Sequence, residues 1–264
     1  IPAYLFYPYS TYSPNVTRVA FEKGSVCKTV GKYAFASCKN LQEVVFSGTA
    51  PNIEANAFQK VTAVCLYPAF WDRGVLQNYG GTLTWTPLLV EADNGTIYKT
   101  CEEALNSSNR LRLLGDVQID AVLGKDLYID LNGCDLSGKL ESGGYRIFGM
   151  DSTTDGYDDQ NAGTFSCTGA VPEVHHKDRS KRYLAVKTEE GYSFHRFYMG
   201  ITHMTLRPGQ RGVGFKGVFY GDAAVRKQIA ATGYTLTVDG FTPKTQWKDG
   251  AFDSDKAIGL LIKN

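Results

Sequence analysis

Four carboxylates fall within nine residues in Asp151-Ser-Thr-Thr-Asp-Gly-Tyr-Asp-Asp159. Calcium takes six to eight oxygen ligands, which such a loop supplies in part. Asp151, Asp155, Asp158 and Asp159 are therefore the candidate metal ligands, and calcium is the one cofactor they suggest. The alternating positions and closing glutamate of an EF-hand are absent. The competing account is a solvated turn that uses Asp and Gly for tight geometry.

Other reactive side chains are less organised. His195 and His203 are eight residues apart on one expected strand, about 26 Å at strand rise, too far to share a metal. His175-His176 has no cysteine or spaced carboxylate of zinc type beside it. Ser193 precedes His195 by two, with Asp178 or Glu189 as a nominal third member, but no Gly-x-Ser-x-Gly elbow accompanies them. Gly209-Gln-Arg-Gly-Val-Gly214 lacks the Lys-Ser/Thr ending of a phosphate loop. Asp126, Asp130, Asp135 and Glu141 could pair for glycoside cleavage, yet they fit structural rungs better. No catalytic residue is assigned, and the chain is expected not to be an enzyme.

Aromatic side chains are the remaining chemistry. Tyr4, Phe6, Tyr7, Tyr9 and Tyr12 crowd the beginning, and Trp71, Tyr79 and Trp85 form a second group. Exposed rings stack on sugar rings, which makes Trp71, Tyr79 and Trp85 candidate glycan contacts. The alternative is that Trp71 and Trp85 seal the end of a repeat stack.

The elements that carry these groups follow from composition and periodicity. The 264 residues hold 28 basic and 27 acidic side chains, a net charge of +1, which leaves no basic footprint for nucleic acid. A hydrophobic content of 43% is enough to bury a core. No apolar run approaches the roughly 20 residues that span a bilayer, so no membrane insertion is expected. Ile1 is not Met and no signal peptide precedes it, so the chain reads as a piece of something longer. Tyrosine (16), phenylalanine (14) and glycine (28) favour strands and turns. Three Asn-x-Ser/Thr sequons, at Asn15, Asn94 and Asn106, read as incidental.

Cys27, Cys38, Cys65, Cys101, Cys134 and Cys167 are widely spaced with no CxxC pair, which excludes zinc-ribbon and thioredoxin-type arrangements. Bridges and buried thiols both fit that spacing.

An internal repeat is the clearest signal. Val30-Gly-Lys-Tyr-Ala-Phe-Ala-Ser-Cys-Lys-Asn-Leu41 realigns with Ile53-Glu-Ala-Asn-Ala-Phe-Gln-Lys-Val-Thr-Ala-Val64, a shift of 23 between the Ala-Phe pairs. Val19-Ala-Phe21 likewise matches Val44-Val-Phe46. One apolar strand and one fixed aromatic per period describe a stacked solenoid. Over residues 16–87 the pattern resembles the BspA-like leucine-rich repeat, with Gly48–Ile53, Leu66–Ala69, Trp71, Tyr79 and Trp85 resembling its closing segment. The resemblance implies that Cys38 is an interior position.

Thr86-Pro87 and Glu91-Ala-Asp-Asn-Gly95 mark a boundary, and Thr100 with Glu103 forms a capping box for a short helix. The stretch LRLLGDVQIDAVLGKDLYIDLNGCDLSG resembles a rung-forming module of large surface proteins from gut Firmicutes, with Asn132-Gly133 at a positive-φ turn. Downstream, the spacing predicts strands at Tyr183–Val186, Tyr192–Leu206, Gly212–Tyr220 and Tyr234–Val238, and a helix over Ala223–Ala231.

The expected architecture is mainly β. It comprises a BspA-like leucine-rich-repeat solenoid with its cap (1–88), a short-helix plus β-rung module (89–170) and an immunoglobulin-like β-sandwich (171–264). The resemblance implies a non-catalytic, extracellular region of a modular bacterial cell-surface protein, adhesive or spacer in role, with a protein or polysaccharide ligand. A carbohydrate-binding module is the alternative.

Overall fold

The computed structural model describes residues 1–7, 15–153, 161–174, 182–205, 214–221, 223–232, 244–246 and 258–263. The chain is mainly β and forms two compact units, Ile1–Gln118 and Ile119–Asn264. No helix of the described residues is long and apolar enough to cross a membrane.

In the first unit β1 (Arg18–Phe21), β3 (Glu43–Phe46), β5 (Thr62–Pro68) and β6 (Thr82–Leu88) pair side by side in that order, all parallel. Two short strands, β2 (Thr29–Val30) and β4 (Asn52–Ile53), pair parallel elsewhere on the same rungs. Val19 stands opposite Val44 and Phe21 opposite Phe46, the register that the repeat predicts. Parallel neighbours cannot be joined by a hairpin, so each strand must return through a full rung. The return is a tight turn that recurs from rung to rung. Phe35 N–H donates to the Ala57 carbonyl (2.8 Å) and Ser37 N–H to that of Gln59 (2.7 Å). Left-handed φ values recur with it, at Tyr33 and Asn56 and again at Ser37 and Lys60.

Inside, the Ala-Phe pairs stack. The Phe35 and Phe58 rings lie 5.2 Å apart at 12°, and Phe21 and Phe46 lie 4.7 Å apart at 12°. Ala34 and Ala57 are fully buried beside them because only a small side chain fits between the rings and the next turn.

One rung escapes the 23-residue spacing. Ile1-Pro-Ala-Tyr-Leu-Phe6 occupies the place of Val30–Phe35 and Ile53–Phe58. Its Phe6 ring stacks on Phe35 at 5.2 Å and 10°, and Phe6 N–H donates to the Ala34 carbonyl at 2.9 Å. Tyr4 has a φ of 61°, matching 58° at Tyr33 and 61° at Asn56.

The unit is completed by an antiparallel hairpin of β7 (Val90–Ala92) and β8 (Ile97–Tyr98), then α1 (Cys101–Ser107) and β9 (Arg110–Leu113) antiparallel to β7. Thr100 caps α1, its hydroxyl accepting from Glu103 N–H at 3.2 Å, while the Glu103 carboxylate accepts from Lys99 N–H. That is the expected capping box, reaching one residue further back.

The second unit opens with three rungs. In one sheet β12 (Leu136–Glu141) lies between β10 (Val117–Val122) and β14 (Thr164–Thr168); in the other β13 (Ile147–Met150) lies between β11 (Leu127–Asp130) and β15 (Glu173–Val174). β12–β14, β11–β13 and β13–β15 are parallel. Asn132 and Gly133 take φ values of 50° and 76° at the turn, as the sequence predicts.

The chain then turns antiparallel. β16 (Arg182–Lys187) and β18 (Gly214–Gly221) both pair with β17 (Tyr192–Thr205), and β17 also pairs with β14. β20 (Ile258–Lys263) joins β18 to β19 (Lys244–Gln246), and α2 (Ala223–Thr232) packs on β16, β17 and β18. Phe194 on β17 is fully buried against β13, where an added Cβ at Gly149 would stand 2.0 Å from its ring. The expected strand at Tyr234–Val238 lies outside the described residues.

Candidate functional site

Trp71 and Trp85 come together with Phe46 and Tyr67 at the last rung of the first solenoid, and Tyr79 packs against the same core. Phe46 lies 5.0 Å from Trp71 and 6.0 Å from Trp85, and the two indoles are 6.4 Å apart. Trp71 is only 6% exposed. Its indole N–H donates to the Gly48 carbonyl at 2.8 Å, and that of Trp85 to the Gln77 carbonyl at 3.0 Å. The Tyr79 hydroxyl donates to the Val75 carbonyl at 2.6 Å, and burial raises its pKa above the usual tyrosine value. Each ring uses its polar tip to satisfy a backbone acceptor where the repeat stops. The group is a hydrophobic plug with its donors already engaged.

Asp151 occupies an interior position of its rung and is fully buried, one rung on from the equally buried Leu131. It is held as an acceptor. Gly133 N–H reaches both oxygens at 3.1 and 3.2 Å, Gly163 N–H reaches Oδ2 at 2.8 Å, and Thr153 donates both its N–H (3.0 Å) and its hydroxyl (2.6 Å) to Oδ1. This carboxylate ties together three turns that are distant in sequence. Both of its oxygens are directed at N–H or O–H donors. Asp155, Asp158 and Asp159 lie outside the described residues, and the described residues contain no cluster of three metal-ligating side chains.

The other carboxylates of this unit also serve as stitches. Asp126 Oδ1 accepts from Arg146 N–H at 2.9 Å, Asp130 Oδ1 from Ser152 N–H at 2.8 Å, and Asp135 Oδ1 from Thr164 N–H at 2.9 Å. Each links one rung to the next, 20, 22 and 29 residues on. Glu141 pairs with Lys139 at 2.5 Å, and that hydrogen bond with its charge raises the lysine pKa. In the first unit Glu54 plays the same part, accepting from Lys32 N–H at 2.8 Å.

Ser193 and His195 do meet. Both lie on β17, 6% and 7% exposed, with Oγ 2.7 Å from Nε2. Two residues apart on a strand, they share a face, so the contact is what strand geometry places there. Phe194 between them fills the opposite face. Glu189 is exposed in the turn before β17, and Asp178, His175 and His176 lie outside the described residues, as does Gly209–Arg211. A register shift falls between Ile201 and His203 in the pairing of β17 with β18.

None of the six cysteines is in a disulfide. Cys38, Cys65 and Cys101 are buried, and desolvation pushes the thiols of Cys65 and Cys167 up to about 12. Thiols held neutral in this way are inert as nucleophiles.

An aromatic cluster with one exposed ring, Tyr4, and two half-buried ones, Tyr7 and Tyr33, lies elsewhere. Tyr4 is 52% exposed on the first rung and its ring centroid is 5.2 Å from that of Tyr33 on the second, tilted 34°. Tyr7 stands edge-on to both, 5.7 Å from Tyr4 and 6.4 Å from Tyr33. Lys32 Nζ sits 5.2 Å from the centre of the Tyr33 ring. Tyr4 and Tyr7 belong to the aromatic run at the start of the sequence, and Tyr33 joins them only through the stacking of rungs. The shared signal was the Tyr-x-Phe spacing of Tyr4-Leu-Phe6 and Tyr33-Ala-Phe35. Tyr9 and Tyr12 lie outside the described residues.

Set against protein-family models, curated proteins and solved structures, the chain matches none.

Proposed function

We propose that this chain is a non-catalytic, extracellular region of a modular bacterial cell-surface protein that holds or spaces a contact with a macromolecule. In this reading the first rungs are a BspA-like leucine-rich-repeat solenoid. The antiparallel strands from β16 onward, which share one sheet with β14, are read as part of an immunoglobulin-like sandwich on their antiparallel order alone.

The observation that carries the proposal is how the chemistry-bearing side chains are used. Trp71, Trp85, Asp126, Asp130, Asp135 and Asp151 all direct their polar atoms at backbone groups of neighbouring rungs or turns. A chain that invests its indoles and carboxylates in holding rungs together is built as a scaffold, and stacked rungs offer an extended surface to a large partner. Beads coated with the intact chain test this on surfaces of collagen, fibrinogen, mucin and plant-wall xylan. Saturable adhesion to at least one surface is expected, and equal retention of coated and bare beads on all four would refute the role.

A carbohydrate-binding module is the second reading. It is favoured by the exposed ring of Tyr4, which presents apolar surface of the kind that stacks on a sugar.

A further inference from the structure

We propose that Tyr4, Tyr7 and Tyr33, with Lys32, form a saccharide-binding platform on the turn side of the first two rungs. The inference rests on the binding role above and assigns it a site.

Backbone conformation is the first observation. The turn requires a left-handed residue, with φ of 61°, 58° and 61° in three successive rungs. Asn fills it at Asn56, and Asn is among the few non-glycine residues that accept this conformation readily. At Tyr4 and Tyr33 the same position carries a bulky aromatic, the kind of residue it least favours. A disfavoured residue kept twice in register points to use of its side chain rather than to the turn.

Arrangement is the second. Tyr4 leans on Tyr33 with one side of its ring, yet half of the residue is exposed. Tyr7, edge-on to Tyr4, makes a wall beside it. Leu5 adjoins and is 40% exposed. Lys32 lies over Tyr33, supplying ammonium donors next to the rings. An aromatic surface beside hydroxyls and one amine matches a pyranose, which presents an apolar C–H face ringed by hydroxyls. Among the described residues Lys32 is the cation placed against the rings, short of the several basic groups that an anionic polymer needs.

The test is affinity electrophoresis of the full chain in gels containing xylan, barley β-glucan, yeast mannan or mucin. Tyr4→Asn and Tyr33→Asn remove the rings while installing the residue that the third rung already uses, so the fold is retained and thermal unfolding confirms it. Phe70→Ala removes an exposed ring elsewhere (55% exposed). Retardation by at least one polysaccharide is expected, with affinity lowered at least tenfold in the Tyr4→Asn/Tyr33→Asn double variant and unchanged in Phe70→Ala. Retardation that persists in the double variant overturns this site and leaves the binding role standing. If no polysaccharide retards the wild-type chain, the saccharide assignment is overturned, and adhesion to collagen or fibrinogen then shows whether the broader role survives.

Discussion

Asp151 shows how much one side chain carries here. Replacing it by Ala leaves the N–H groups of Gly133, Thr153 and Gly163 and the Thr153 hydroxyl without their acceptor. At about 1–3 kcal/mol for each buried group left unsatisfied, partly relieved by entering water, Asp151→Ala is expected to cost about 3–5 kcal/mol in chemical denaturation. A loss below about 1 kcal/mol would contradict the role assigned to it. The thiols give a second expectation at this scale. Cys65 and Cys167 have folded pKa values of about 12 against an ordinary 9.0. Below about pH 9 both folded and unfolded chains carry neutral thiols; between about 9 and 12 only the unfolded chain ionises them. Their contribution is therefore intact below pH 9, and stability falls as pH rises toward 12. At pH 8 iodoacetamide should leave both unmodified in the folded chain and label both in guanidinium, as peptide mass spectrometry would show. Rapid labelling of the folded chain would contradict the burial of Cys65 and the desolvation of both thiols.

At the scale of the rung, energy resides in the stacked phenylalanines. Phe35 lies between Phe6 and Phe58, fully buried, so Phe35→Ala should cost about 3–5 kcal/mol. Phe6→Ala should cost less, because Phe6 has a ring on one side only and is partly exposed. Equal costs in urea unfolding would mean that Phe6 is not the end of the described column. The same stack explains what the sequence made legible. The Ala-Phe pairs at 34–35 and 57–58 are evident because an interior position admits few residue types and recurs at one spacing. The first rung was hidden because Phe6 and Phe35 are 29 residues apart rather than 23, and Leu5 replaces the alanine. Asn132-Gly133 could be placed because its turn chemistry is local. The Asp151 knot could not, since its donors at Gly133 and Gly163 become neighbours only once three rungs are stacked. Trp71 and Trp85 were open to two readings for a related reason: residue type announces a large ring, and only packing decides whether its N–H meets a carbonyl or a ligand.

At the scale of the whole molecule, each unit has its own stack of parallel strands, and Trp71 and Trp85 in the first and Asp126, Asp130, Asp135 and Asp151 in the second are turned to cohesion. Under the proposed function, that division of labour is what a binding scaffold requires. The most direct test incubates the intact chain with whichever macromolecule its coated beads retain, releases the complex, and compares the length of the recovered ligand with untreated material by size-exclusion chromatography. Saturable binding with the ligand recovered at full length is the predicted result. Binding followed by progressive shortening of the ligand would contradict it.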